Sequence, residues 1–194
     1  MKTIDVYQNI KYLSLFNEIN LDISNFSIDT RKIKNGDCYI GIRGENHDGN
    51  DLYMEAFKKG AILAILDKFE INDDILKYLH DNNKSILFVN NSIDALGSIA
   101  KYKRSLFYSP VVAVTGSAGK TSTKDIVYSV LKQKYNAHKT IGNQNNHIGL
   151  PLSILSLEKD NEVLVLEMGM NHLGEISYLT NIAHPDIAII TNVG

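Results

Sequence analysis

From Phe26 onward, short apolar runs alternate with amphipathic stretches, and turn residues separate them. The segment "FSIDTRKI" (26–33) predicts a strand, "KNGD" (34–37) a polar turn, and "CYIGI" (38–42) a second strand before the loop "RGENHDGN" (43–50). Residues 51–60, "DLYMEAFKKG", carry apolar positions at Leu52, Met54, Ala56 and Phe57 and stop at Gly60, which predicts a helix ahead of the continuous apolar strand "AILAIL" (61–66). A helix over 74–80, the strand "SILFV" (85–89) and a helix over 92–107 complete a first α/β unit. In that last helix Ile93, Leu96 and Ile99 fall on one face, and Ser92 is placed as its N-cap.

After Ser109-Pro110 the rhythm restarts. The strand "VVAVT" (111–115) leads through a glycine turn into a helix over 120–134, and the polar loop "GNQNNHIG" (142–149) leads into a short helix at 151–157. Strand 163–168, helix 174–183 and strand 186–191 follow. Strands this apolar, without polar alternation, are expected to be buried on both faces, as in a parallel sheet with helices on each side. The expected class is α/β in two domains, 1–108 and 109–194, and the second sheet is expected to continue past Gly194.

Composition narrows the partners. A chain of 194 residues that is 44% hydrophobic is long enough to bury a core, and a net charge of −2 gives no electrostatic drive toward nucleic acid or an anionic membrane. The single cysteine, Cys38, lies in a strand and reads as core, and it cannot close an intrachain disulfide. The polar start "MKTIDVYQNIKYL" lacks the apolar centre of a signal peptide, and "AILAIL" falls far short of the roughly 20 residues a membrane span needs. A cytoplasmic protein with a small-molecule partner, no nucleic acid and no membrane insertion is expected.

The chemistry concentrates in "VTGSAGKTST" (114–123). Gly116 and Gly119 free the backbone to aim several N–H groups at one phosphate, and Ser117 and Ala118 are small enough not to intrude. The helix that starts near Lys120 adds its positive dipole end, Lys120 adds a full charge for the β and γ phosphates, and the Thr121 hydroxyl can ligate Mg2+. The common P-loop spacing would need a glycine where Val114 stands. Glu167 lies at the carboxyl end of a buried strand, where open α/β sheets hold ligands. From position alone it is equally a metal ligand or a strand-end carboxylate paired with a lysine. None of the six histidines has the spacing of a zinc pair, and His147 and His172 fall in loops at the same sheet edge.

These residues resemble the Mur ligases. "TGSAGKTS" (115–122) is similar to that family's "TGTNGKT" nucleotide loop, which also lacks the first P-loop glycine; Ala118 replaces the common Asn at a position that contributes backbone. "GNQNNHIGLPLSIL", "LEMGMNHLGEISYLTNIAHPDIAIITNVG" and "SIDTRKIKNGDCYIGIRGENHDGNDLYMEAFKKGA" resemble the MurF type, and the last resembles the uridine-nucleotide domain that type shares with MurE. The resemblance implies a small N-terminal α/β UDP-substrate domain followed by the first part of a P-loop ATPase domain. It implies an ATP- and Mg2+-dependent, monomeric ligase of peptidoglycan precursor synthesis that joins D-alanyl-D-alanine to UDP-N-acetylmuramoyl-tripeptide. Lys120 and Glu167 would be catalytic. Gly116, Ser117, Ala118, Gly119, Lys120, Thr121 and Ser122 would hold the nucleotide, with Thr121 and Glu167 on the metal. Thr30, Arg31, Asn145, Asn146 and His172 would face substrate; Arg31 taken alone is also compatible with a surface ion pair. The loop 46–50, with Gly49, matches another substrate-facing segment. The family pattern continues beyond "TNVG" with a histidine-containing segment, further sheet and a C-terminal domain, so this chain alone is expected to form no amide product. The alternatives are a MurE-type ligase, for which "MEVSSH" would stand in place of "LEMGMNH", and a nucleotide-binding protein that ligates nothing.

Overall fold

The computed structural model describes residues 1–45 and 47–193, in two compact units, Met1–Ile99 and Ala100–Gly194. The first unit opens with two elements that the apolar pattern did not reveal. Helix α1 (Thr3–Asn9) is short, and the Asp5 carboxylate accepts the backbone N–H of Lys2 at 2.7 Å. Strand β1 (Ser14–Phe16) is three residues long and runs antiparallel to β5 (Ser85–Phe88). The sheet order is β1-β5-β4-β3-β2, with β2 (Phe26–Ser27), β3 (Cys38–Ile40), β4 (Leu63–Leu66) and β5 mutually parallel. β3 and β4 are wholly buried, as expected of strands covered on both faces, and Tyr39, Leu66 and Ile86 join Phe57 of α2 (Tyr53–Lys58) and Leu79 of α3 (Asp73–Asp81) in the core. Each such side chain contributes about 1.5–3 kcal/mol by leaving water.

Two local expectations change. "FSIDTRKI" is a two-residue strand, then a 3-10 turn at Thr30–Lys32, because the Asp29 side chain accepts the Arg31 N–H and closes a turn that a ladder would have to break. Helix α4 (Ser92–Ser105) is capped by Asn91, whose side-chain oxygen accepts the N–H groups of Ile93 and Asp94; Ser92 is already helical, and its hydroxyl has no partner among the described residues.

The second unit is a parallel sheet, order β7-β8-β6-β9. β6 (Val111–Thr115) lies between β8 (Val163–Glu167) and β9 (Ile187–Ile190), and the edge strand β7 (Ala137–Lys139) pairs with β8. β7 is short and polar, which hid it from the apolar pattern. β9 departs from the expectation of burial on both faces: Ile187 and Ile190 are 54% and 63% exposed. It is bonded to β6 alone, and an apolar strand is buried only where a second layer covers it. Helices α5 (Lys120–Leu131), α6 (Gly149–Leu155) and α7 (Glu175–Ala183) connect the strands.

Candidate functional site

The chain leaves the carboxyl end of β6 at Thr115 and must reverse into α5 within a few residues. Two glycines make this possible. Gly116 has φ +136°, and a Cβ there would stand 2.2 Å from the Thr191 hydroxyl oxygen, so conformation and space both demand glycine. Gly119, the N-cap of α5, is left-handed at φ +80°, where a Cβ would only touch the Thr191 Cβ at 3.9 Å, so conformation rather than space favours glycine. The residues after β9 brace the turn: Ser117 N–H donates to the Asn192 carbonyl at 3.2 Å and Ala118 N–H to its side-chain oxygen at 2.8 Å. The Thr191 hydroxyl donates to the Ala118 and Thr115 carbonyls at 2.5 and 3.2 Å. Thr191 and Asn192 were not singled out in the sequence; their signal was a polar pair directly after a strand that neighbours β6. With Ser117 and Ala118 turned to Asn192, the amides that open α5, from Lys120 through Thr121 and Ser122, are those that no helical carbonyl can reach, and such a helix end favours an anion. The Lys120 ammonium folds back over the turn, onto the carbonyl of Gly116 at 2.7 Å.

Glu167 is brought to this turn by register, because Val114 of β6 pairs with Glu167 of β8. Its carboxylate is 2% exposed and held from several sides. The Thr121 hydroxyl donates to Oε1 at 3.1 Å, and the Asn145 amide donates to the same oxygen at 2.9 Å. The Lys124 ammonium stands 3.4 Å from Oε2, an ion-pair distance without hydrogen-bond alignment, so Oε2 lacks a hydrogen-bond partner among the described residues. Behind it the Thr140 hydroxyl accepts the Glu167 N–H at 3.1 Å. The strand-end reading of Glu167 as a lysine-paired carboxylate is present, and the same carboxylate faces Thr121. Lys124 and Thr140 went unnoticed in the sequence.

This carboxylate suits Mg2+, which favours one or two carboxylates with phosphate oxygens and waters. Adjacent ligands of an octahedral ion at about 2.1 Å lie about 3.0 Å apart; Thr121 Oγ1 and Glu167 Oε1 are separated by 3.1 Å. No cluster of three His, Cys, Asp or Glu residues that could hold a metal occurs among the described residues, so phosphate oxygens and waters would have to complete the coordination.

The remaining candidates separate. Asn145 is at the carboxylate, whereas the Asn146 side chain caps α6, accepting the N–H groups of Ile148 and Gly149 at 3.1 and 2.8 Å. His172 is exposed, and its backbone N–H, with that of Asn171, donates to the Glu175 carboxylate at the start of α7. These two backbone donors hold the Glu175 carboxyl below its usual range.

In the first unit the Thr30 hydroxyl points inward, donating to Glu55 at 3.0 Å, while the Arg31 guanidinium grips Asp29 with two bonds of 2.8 Å. The Arg31 side chain is 85% exposed. Its hydrogen bonds to Asp29 draw that carboxyl down to about 2. Arg31, Lys32 and Lys34 border an open depression of about 580 Å³ that also touches Ser24, Asn25 and Asp37. In the loop 46–50, Asn46 lies outside the described residues. Gly49 is pressed against the Ile42 backbone, where a Cβ would meet the carbonyl oxygen at 2.5 Å. Asn50 is buried, bonding Asp48 and Asp67.

Comparison with known proteins matches residues 22–104 to a model described as the Mur ligase family, catalytic domain, and residues 114–194 to the Mur ligase middle domain. This chain belongs to the Mur ligase family. It is 40% identical over 172 residues to the UDP-N-acetylmuramoyl-tripeptide--D-alanyl-D-alanine ligase of Bacillus subtilis, covering 89% of this chain and 36% of that protein. Among solved structures, MurF from Acinetobacter baumannii superposes with a TM-score of 0.85 at 29% identity, over 98% of this chain and 40% of that one. MurF ligase from Thermotoga maritima in complex with ADP does so with a TM-score of 0.76 at 40% identity, over 88% and 38%. The chain spans well under half the length of the curated relatives it matches. Among the described residues no helix is long and apolar enough to cross a membrane.

Proposed function

We propose that this chain supplies the nucleotide-binding and UDP-substrate-binding parts of a cytoplasmic, monomeric MurF-type ligase that adds D-alanyl-D-alanine to UDP-N-acetylmuramoyl-tripeptide at the expense of ATP. The observation that carries the reading is the buried Glu167 carboxylate on the Thr121 hydroxyl, directly behind a glycine turn that opens a helix. The names of the relatives supply the substrates, and the ADP complex of one of them supports the nucleotide.

In this reaction the tripeptide carboxylate takes the γ-phosphoryl group, the D-alanyl-D-alanine amine attacks the resulting acyl phosphate, and an amide, ADP and phosphate are formed. Residues 109–194 bind the nucleotide: the glycine turn from Gly116 leads to the free amides of Lys120, Thr121 and Ser122, which meet the phosphates, and Lys120 leaves the Gly116 carbonyl for a phosphate oxygen. Thr121 and Glu167 would hold Mg2+, which when bound neutralises charge on the phosphate oxygens. Asn145 fixes the carboxylate, and His172 lies at the same edge, beside Glu175. Residues 1–108 bind the UDP-linked substrate. Thr30 braces the turn from within, and Arg31, with Lys32 and Lys34 beside it, offers positive charge to the diphosphate.

Calorimetry on the 194-residue chain tests both halves. ADP with Mg2+ is expected to bind, and Lys120→Ala is expected to weaken that binding about tenfold or more without lowering the melting temperature. UDP-N-acetylmuramoyl-tripeptide is expected to bind independently of ADP. A chain that melts cooperatively yet binds neither ligand would defeat the reading; one that binds ADP but no UDP compound would favour a nucleotide-binding protein outside the ligases.

A further inference from the structure

Lys124 is a lysine where packing alone would take an apolar side chain. Within α5 it is the fully buried residue, its side chain 2% exposed, while Ile126 and Val130 of the same helix are 65% and 66% exposed. A methionine of similar length would fill the space without the desolvation cost of an ammonium. Three residues separate Lys124 from Thr121, which places them on one helix face, and each reaches a different oxygen of Glu167. A second carboxylate lies nearby: Asp125 is 3.7 Å from the Lys124 ammonium, but it is half-exposed and already held by Lys139 at 2.7 Å. The tight, dry partner of Lys124 is therefore Glu167.

The charges give this arrangement a consequence. Glu167 and Lys124 cancel, and Lys120 leaves the turn positive, so a divalent cation meets no net attraction there. Bound nucleotide phosphates reverse that sign. We propose that Lys124 is a positioning residue and the resident counter-charge of Glu167: it occupies Oε2, leaves Oε1 to face Thr121, and prevents tight divalent-cation binding until nucleotide is present. This rests on the assignment of Thr121 and Glu167 as the Mg2+ ligands proposed above.

Mn2+ titrated into the 194-residue chain, with free Mn2+ read by its paramagnetic resonance signal, tests the idea without any assay of turnover. The wild-type chain is expected to bind Mn2+ weakly alone and tightly with ADP. Lys124→Met is expected to raise the affinity for Mn2+ alone about tenfold or more, and Lys124→Met with Glu167→Gln to return it to the wild-type level. An unchanged affinity in a Lys124→Met chain that still melts cooperatively would overturn the proposal. Should that variant not fold, Lys124→Gln keeps a polar end in the cavity and is judged the same way, and the wild type decides by itself: Mn2+ bound as tightly without ADP as with it overturns the proposal. No Mn2+ binding even with ADP would instead remove the metal assignment on which the inference rests.

Discussion

Arg31 and Lys124 are both basic side chains held by a carboxylate, yet one is 85% exposed and the other 2%. Arg31 is paired with Asp29, two residues away on the same turn, so the pair forms wherever the turn forms. Lys124 is paired with Glu167, which is distant in sequence, and the pair exists only once α5 has packed on β8. Water competes for the first pair, so a ligand phosphate can replace Asp29 at small cost. In the second, the buried Lys124 would keep only the half-exposed Asp125 at 3.7 Å, which is already held by Lys139, so Glu167 is the harder partner to replace. The first unit therefore carries an adaptable charge pair, whereas the second carries one whose geometry is set by folding.

The sharpest way to break this contrast is to remove the acidic partner on each side. Glu167→Ala leaves the buried Lys124 ammonium with only the half-exposed Asp125 at 3.7 Å and is expected to lower stability by about 3 kcal/mol, whereas Asp29→Ala is expected to cost about 1 kcal/mol or less. Urea unfolding of both variants measures the two values, and equal losses would show that burial does not separate the pairs. Next in size is Gly116→Ala. Its Cβ would fall 2.2 Å from the Thr191 hydroxyl oxygen at a φ of +136°, so a loss of about 1–3 kcal/mol is expected together with weakened ADP binding. Unaltered ADP affinity there would argue against the turn as the phosphate site.

Arg31→Ala tests the adaptable side. Affinity for the UDP-linked substrate is expected to fall about tenfold, with ADP affinity and the urea midpoint unchanged. A loss of stability without loss of substrate binding would make Arg31 a purely structural residue. The smallest expected effect concerns pH. Burial holds the His138 imidazole below its usual range, beside the Ser156 hydroxyl at 3.0 Å. A histidine whose folded pKa is depressed contributes stability that is present above its unfolded value of about 6.5 and is lost as pH falls below it. Melting temperatures from pH 7.5 to 5.5 are expected to decline less in His138→Gln than in the wild type, and parallel declines would rule this histidine out.

Much of the architecture could be read from the chain. Strand β6 appears with the expected limits, and the turn that follows it could be recognised because Gly-x-x-Gly-Lys-Thr after an apolar strand is a local requirement of a phosphate cradle. The elements that escaped, α1, β1 and β7, are short and partly polar, and they exist because larger neighbours hold them. Helix α5 is mixed. Val127, Tyr128 and Leu131 pack on the sheet, but Ile126 and Val130 are exposed while Lys124 is buried, a position that an apolar pattern would not assign to a lysine.

What the sequence determined by itself is therefore local: the alternation of elements, the glycine turn and the family to which they belong. Tertiary structure alone decided that Glu167 is both lysine-paired and faces Thr121, that Asn145 serves the carboxylate while Asn146 caps a helix, and that Thr191 and Asn192 brace the phosphate turn. The physical reason is that backbone conformation is governed by neighbours a few residues apart, whereas the electrostatic character of a carboxylate depends on which charges and dipoles folding packs against it, and here those come from three separate segments of the chain.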